Sequence, residues 1–342
     1  MIDSTDATTQ LITPDAQQRP RSRIATGERV ATLAQRHGAL AVLLLACLAS
    51  TVLFPSFGSR DNLAGVAIQS STLIIVALGM TFVIISGGID LSVGSVFALG
   101  GVLAAWAAQW GPLAAIALPL AVCGGIGLVN GLVIARTGLE PFIVTLASLL
   151  GARGLLLAVT DEGARTYLVP RDSALLDVGR GTALGIGYPV FVALLLAVLG
   201  AILLQRSRYG QALFAIGGNA EAAALMGLPV ARVKILTYLL SGLLAGLAGV
   251  LNAARLGSGV TILGVGLELD AIAAVVIGGT LLIGGAGSVS GTLCGVLLLG
   301  VIQNVINQIG NLTSSIQSVV SGAFLVVVVV TQTYLSRVRR LR

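Results

Sequence analysis

The chain reads as a succession of apolar runs about 20 residues long, with its charges gathered into short patches between them. Wound as a helix at about 1.5 Å per residue, a run of that length crosses a hydrocarbon layer of about 30 Å. Ten runs qualify: 38–57, 63–86, 93–110, 112–136, 139–160, 188–205, 233–255, 268–284, 289–309 and 316–336. With 56% hydrophobic and 10% charged residues, against about 25% charged in soluble domains, the composition argues against a soluble two-domain enzyme. The expected fold class is all-α: one polytopic membrane bundle over residues 37–336. A polar stretch, 1–36, precedes it as a disordered cytoplasmic tail, and a basic tail, 337–342, follows it.

An even number of crossings returns both termini to one side. Cytoplasmic loops near a membrane carry excess Lys and Arg. With both termini inside, 14 of the 20 cations fall on the cytoplasmic side, among them Arg136, Arg206, Arg208, Arg232, Lys234 and those of both tails. The net charge of +6 then follows from topology and anionic lipid headgroups, with no need for nucleic acid.

Between the second and third runs stands Gly87-Gly88-Ile89-Asp90-Leu91-Ser92-Val93-Gly94-Ser95. Adjacent glycines break a helix, and Asp90 or Ser92 can cap the next one by accepting bonds from its free amides. Gly284-Gly285 forms a second break of this kind, where a re-entrant segment is the alternative to a full eighth crossing. Gly79-Met80-Thr81 leading to Gly87-Gly88 is echoed by Gly279-Thr280 leading to Gly284-Gly285, a faint internal repeat. Transporters place such breaks beside a polar pathway.

Polar side chains inside a membrane bundle either bond helix to helix or line a path. Gln69, Ser70, Thr81 and Ser86 lead down the second run to Asp90, and Gln303, Asn304, Asn307 and Gln308 form a stripe near the end of the ninth. Amides and hydroxyls donate and accept, which suits an uncharged, hydroxyl-rich ligand better than an ion. For each of these residues a helix-to-helix bond is the competing reading, and for Asp90 it is bracing of the broken helix. Arg153 falls inside the fifth run and needs a carboxylate, a carbonyl or a wet cavity. Glu268 and Asp270 are placed at the outer edge of the eighth, as helix caps or as part of an outer mouth.

Absences narrow the chemistry. The only lysine, Lys234, follows Val233, so no Gly-Lys-Ser/Thr phosphate loop exists and ATP hydrolysis by that route is excluded. The only histidine, His37, lies at a membrane edge, and Cys47, Cys123 and Cys294 lie inside runs without paired spacing. No metal site, cofactor or catalytic residue is expected, and powered transport would need a separate ATPase or an ion gradient.

The longest inner connection, 206–232, carries the elements of a short surface helix. Asn219 can cap it, Glu221 sits in its first turn, Ala220, Ala222 and Ala223 favour it, and Gly227 offers a left-handed stop before Pro229. The outer connection, 161–187, mixes acidic residues with Arg165, Arg171 and Arg180.

The break motif resembles that of permease subunits of ribose-type sugar importers of the ATP-binding-cassette superfamily. The likeness extends through Gly79-Met80-Thr81-Phe82-Val83, Ala215-Ile216-Gly217-Gly218-Asn219 and Glu268-Leu269-Asp270-Ala271-Ile272, over roughly residues 40 to 335. Gly266-Leu267-Glu268-Leu269-Asp270 and Leu225-Met226-Gly227 are most similar to galactofuranose-importer permeases. The resemblance implies a non-catalytic subunit of a bacterial inner membrane that forms the path for a monosaccharide. It also implies the partners: an ATPase docking at Asn219 to Ala223 and Gly227, a periplasmic sugar-binding protein docking at the outer side, and a second permease chain, identical or paralogous. A secondary transporter, a channel and an intramembrane enzyme are the alternatives from other classes.

Overall fold

The computed structural model describes residues 39–309 and the isolated positions 319, 322, 323 and 326. The two tails and, apart from those four positions, the tenth run lie outside the described residues. The fold is helical. In chain order it runs α1 (Ala39–Leu53), α2 (Arg60–Ile85), α3 (Val93–Ala107), α4 (Pro112–Thr137), α5 (Pro141–Val159), α6 (Ala174–Arg180), α7 (Tyr188–Arg206), α8 (Arg208–Gly218), α9 (Ala220–Leu225), α10 (Val230–Leu256), α11 (Leu267–Ile277) and α12 (Val289–Ile309). A two-stranded ribbon, Thr182–Ala183 against Ile186–Gly187, lies in the connection before α7.

Seven of these helices are long and apolar enough to cross a membrane: α2, α3 with its terminal 3₁₀ turn, α4, α5, α7, α10 and α12. Local chemistry sets their ends. Ser59 accepts from the Asn62 amide at the start of α2, prolines open α4, α5 and α7, and left-handed Gly138 and Gly257 close α4 and α10.

Two runs fall short of a crossing by themselves. The first yields a helix of 15 residues, and the eighth, 268–284, contains only the 11-residue α11, about 16 Å long. The chain reaches α11 through a connection that descends into the bundle: Gly259 packs on Val102 of α3, and Gly264 packs on Gly94. That descent covers eight residues of α3, about 12 Å. The first turn of α11 therefore lies at the depth of the α2–α3 break. This corrects the placement of Glu268 and Asp270 at an outer edge: the Glu268 carboxylate lies against Gly94, next to that break.

Burial separates a centre from a periphery. In α2 and α3, 78% of the spanning window is buried, and in α10 56%, against 17% in α5. The central helices approach closely because small residues meet. Gly79 of α2 packs on Ser241, Gly100 and Gly101 of α3 on Gly246 and Gly249, and Gly127 and Gly131 of α4 on the backbone of Tyr238 and Ile235. These contacts make α3 parallel and α4 antiparallel to α10, and α2 is antiparallel as well, since Val83, one turn past Gly79, packs with Tyr238, one turn before Ser241.

Candidate functional site

The α2–α3 break is a built structure. Asp90 is 1% exposed, and its carboxylate is shared between two elements. One oxygen accepts from the Ser92 amide at 3.0 Å and the Ser92 hydroxyl at 2.6 Å, and the other accepts from the Ser241 hydroxyl of α10 at 2.7 Å. The chain of bonds continues: Asn130 of α4 donates to the Ser92 hydroxyl at 3.3 Å and accepts from Ser148 of α5, while Thr145 of α5 donates to the Ile89 carbonyl at 3.2 Å. Three helices, α4, α5 and α10, are thus tied to one loop at a depth where water cannot substitute for a missing partner. Asp90 takes one amide at the start of α3, whereas the Ser92 side chain makes no capping bond.

Beside the break, Ser86, Gly87, Gly88, Lys234 and Tyr238 border a small cavity with room for about one water. The Tyr238 hydroxyl, packed over Gly88, has no hydrogen-bond partner among the described residues.

The two glycine breaks meet. Gly87, with φ of +82°, lies against Gly284, with φ of +92°, and the Gly285 amide donates to the Ile85 carbonyl at 2.9 Å. A third pair, Gly217-Gly218 at the end of α8, completes the junction: a Cβ on Gly217 would collide with the Ile85 carbonyl oxygen and crowd the Gly285 amide. Only a residue without a side chain fits there.

From this junction the chain enters α9. The Asn219 side chain accepts from the Ala222 amide at 2.9 Å, Glu221 lies in the first turn, and Gly227, with φ of +81°, ends the turn that follows. Ala223 is buried against the bundle, while Leu225 and Met226 are 89% and 71% exposed. The connection also holds α8, which the sequence reading lacked. Ser207 caps it by accepting from the Gly210 amide at 3.0 Å, and Tyr209 links it to α10 through a 2.8 Å bond with the Thr237 hydroxyl. Burial pushes the Tyr209 hydroxyl up to about 12, so it stays protonated in that bond.

The candidate pathway residues divide. Thr81, fully buried, bonds Thr292 of α12 at 2.7 Å, and Ser86 donates to the Val83 carbonyl at 2.6 Å within its own turn. Ser70 is buried against Gly300 without a hydrogen-bond partner among the described residues, whereas Gln69 is exposed.

On α12, Asn304 exchanges bonds of 2.8 and 3.1 Å with Asn62, and Gln308 donates to Asn304 at 2.8 Å and accepts from Ser56 at 3.0 Å. Asn304 and Gln308 thus lock α12 to the start of α2, Gln303 is half-buried and Asn307 exposed. A double-mutant cycle of Asn62→Leu and Asn304→Leu is expected to give a coupling of about 0.6–2 kcal/mol in thermal unfolding, the range for hydrogen bonds between membrane helices. Additive losses would remove the pair as a brace.

Arg153 finds carbonyls. It donates to Thr261 at 2.7 Å and to Leu263 at 3.4 Å, pinning the descending connection to α5. Glu268 and Asp270, half-buried in the first turn of α11, take part in no ion pair among the described residues. No group of histidine, cysteine or carboxylate side chains that could hold a metal ion occurs among them either.

Residues 62–329 match the family described as branched-chain amino acid transport system / permease component. The chain is 40% identical to the ribose import permease protein of Escherichia coli K12 over 82% of this chain and 88% of that protein. It is 40% identical to the ribose import permease protein of Bacillus subtilis 168, covering 86% and 92%, and 36% identical to the L-arabinose ABC transporter permease protein of Azospirillum brasilense, covering 90% of each. No solved structure matches. A match over residues 62–329 spans well over half of the chain, so this multi-pass membrane protein belongs to the branched-chain amino acid transport system / permease component family.

Proposed function

We propose that this chain forms the translocation path of a monosaccharide importer, driven by a separate ATPase and fed by a soluble sugar-binding protein. The observation that carries the reading is α9. A capped helix stands at the basic end of the bundle, presents Leu225 and Met226 beside Glu221, and runs directly into the glycine junction of both helix breaks. An exposed apolar pair beside a charge is what a groove on a partner takes hold of. The chain's own role is mechanical and non-catalytic, with the partner ATPase pulling on α9 from the cytoplasm. The basic end is then cytoplasmic, as are both termini, and the connection with α6 and the ribbon faces the binding protein.

Similarity to ribose and arabinose permeases supports a sugar as cargo, and the sugars in view are ribose, arabinose, galactofuranose and related pentoses or hexoses. The family description names branched-chain amino acids instead. A second permease chain, identical or paralogous, completes the path.

Cross-linking in native membranes followed by mass spectrometry tests the reading. A Walker-motif ATPase is expected with the native chain and is expected to be depleted about tenfold with Glu221→Arg, which removes a charge-assisted contact and puts a cation in its place. Repeated recovery of the intact chain without any ATPase would overturn the powered importer in favour of a secondary transporter or channel.

A further inference from the structure

The buried side-chain oxygens of Ser70, Tyr238 and Thr280 have no hydrogen-bond partner among the described residues, and Tyr238 borders the cavity beside the α2–α3 break. Tyr238 is 1% exposed and lies two turns into α10. A carbon added to Gly88 would collide with its hydroxyl, so the glycine makes room for that group and offers it no side chain to bond. A hydroxyl left alone at such a position is costly unless something polar enters the space beside it.

Lys234 stands one turn earlier on the same face of α10, about 6 Å from the helix start. It is half-buried, and it makes neither an ion pair nor a side-chain hydrogen bond among the described residues. Ser86, the C-cap of α2, donates its proton to the Val83 carbonyl at 2.6 Å, so its oxygen is left with lone pairs to accept. Ile134 of α4 and Pro141 of α5 supply apolar walls.

Donors and acceptors then balance around one small occupant. An ammonium only donates, the Ser86 oxygen has only acceptance left, and a phenol hydroxyl does either. A water that accepts from Lys234, donates to Ser86 and exchanges one bond with Tyr238 gains the two to four partners a buried water needs, and the space has room for about one. An anion would be held by Lys234 and Tyr238 but would face a Ser86 oxygen with no proton to give it.

We infer that this cavity is a structural water site, in which a single water joins Lys234 and Tyr238 of α10 to Ser86 at the end of α2. Asp90 fastens α10 to the Ser92 side of the break by a direct bond. The water fastens the same helix to the Ser86-Gly87-Gly88 side through a molecule that can exchange. The site follows from packing alone and stands whichever solute the chain carries.

The test uses the full chain in detergent. X-ray radiolysis in water carrying a heavy oxygen isotope turns a bound water into a hydroxyl radical beside its partners. Tyr238 is expected to take up the heavy oxygen despite its burial, and Lys234→Met is expected to cut that labelling about threefold or more. Tyr238→Phe is expected to lower the apparent unfolding temperature by about 2–4 °C, and the double variant to lose less than the sum of the two single losses, although the two side chains share no direct bond. A higher unfolding temperature for Tyr238→Phe would mean that the hydroxyl stands dry. That result, additive losses, or an unlabelled Tyr238 in the native chain would each overturn the site.

Discussion

Gly217→Ala is expected to cut ATP-driven uptake about tenfold or more, whereas Gly218→Ala, one position along, is expected to change it by no more than about twofold. The contrast follows from where each added carbon would go. At Gly217 it meets the Ile85 carbonyl oxygen and the Gly285 amide, the two partners of the one backbone bond that joins the first break to the second. At Gly218 it meets nothing within 4 Å. Backbone atoms on both sides cannot yield as a flexible side chain would, so an alanine at Gly217 wedges α8 off the junction at a packing cost of about 1–3 kcal/mol.

The reason to expect lost transport rather than lost stability alone is position. The end of α8 touches both breaks at once, and α9 begins two residues later. Under the proposed importer reading, a displacement of α9 by an ATPase would be delivered to the α2–α3 loop and the α11–α12 loop together, as long as the three glycine pairs stay in contact. Measuring ATP hydrolysis and uptake on the same reconstituted complex separates the cases. Hydrolysis that persists while uptake collapses marks uncoupling, and equal uptake for the two alanine variants would show that the junction transmits nothing.

Much of this arrangement is legible in the sequence. The helices α2, α3, α4, α5, α7, α10 and α12 start within three residues of the runs read from apolar length, because lipid leaves a spanning segment no other means of satisfying its backbone. The α9 helix is equally readable, since Asn219, Glu221 and Gly227 are local signals acting on neighbouring amides. What escapes the reading is long-range. Nothing in Leu267 to Ile277 says that the helix begins in mid-bundle, because that depends on Gly264 meeting Gly94 far away in the chain. The stripe on α12 misleads for the opposite reason: Asn304 and Gln308 share a face, as their spacing dictates, but Asn62 and Ser56 occupy that face. Gly217-Gly218 is one of six adjacent glycine pairs in the chain, and nothing local marks it as the one that meets both breaks.

Asp90 supplies the other large effect, and here stability is the expected readout. Asp90→Ala would leave the Ser92 amide, the Ser92 hydroxyl and the Ser241 hydroxyl without their acceptor, in a region that lipid and packed helices keep dry. Each buried orphan costs about 1–3 kcal/mol, so the apparent unfolding temperature in detergent is expected to fall by on the order of 5 °C or more. Asp90→Asn keeps one carbonyl oxygen for the Ser92 pair and requires only the Ser241 hydroxyl to turn and accept, so it is expected to lose less than half as much.

Ser241→Ala combined with Asp90→Asn should then be less damaging than the sum of the two, because both remove the same contact. Were Asp90 a sugar ligand instead, Asp90→Asn would leave the unfolding temperature in place and change which sugar is carried. Because the carboxylate joins the loop to α10 while Asn130 and Thr145 join it to α4 and α5, the brace holds one side of the break still. Under the importer reading, motion imposed through Gly217 would thereby be confined to the other side, where Gly87 and Gly284 meet, and a weaker brace should blunt the response to α9 even when the chain remains folded.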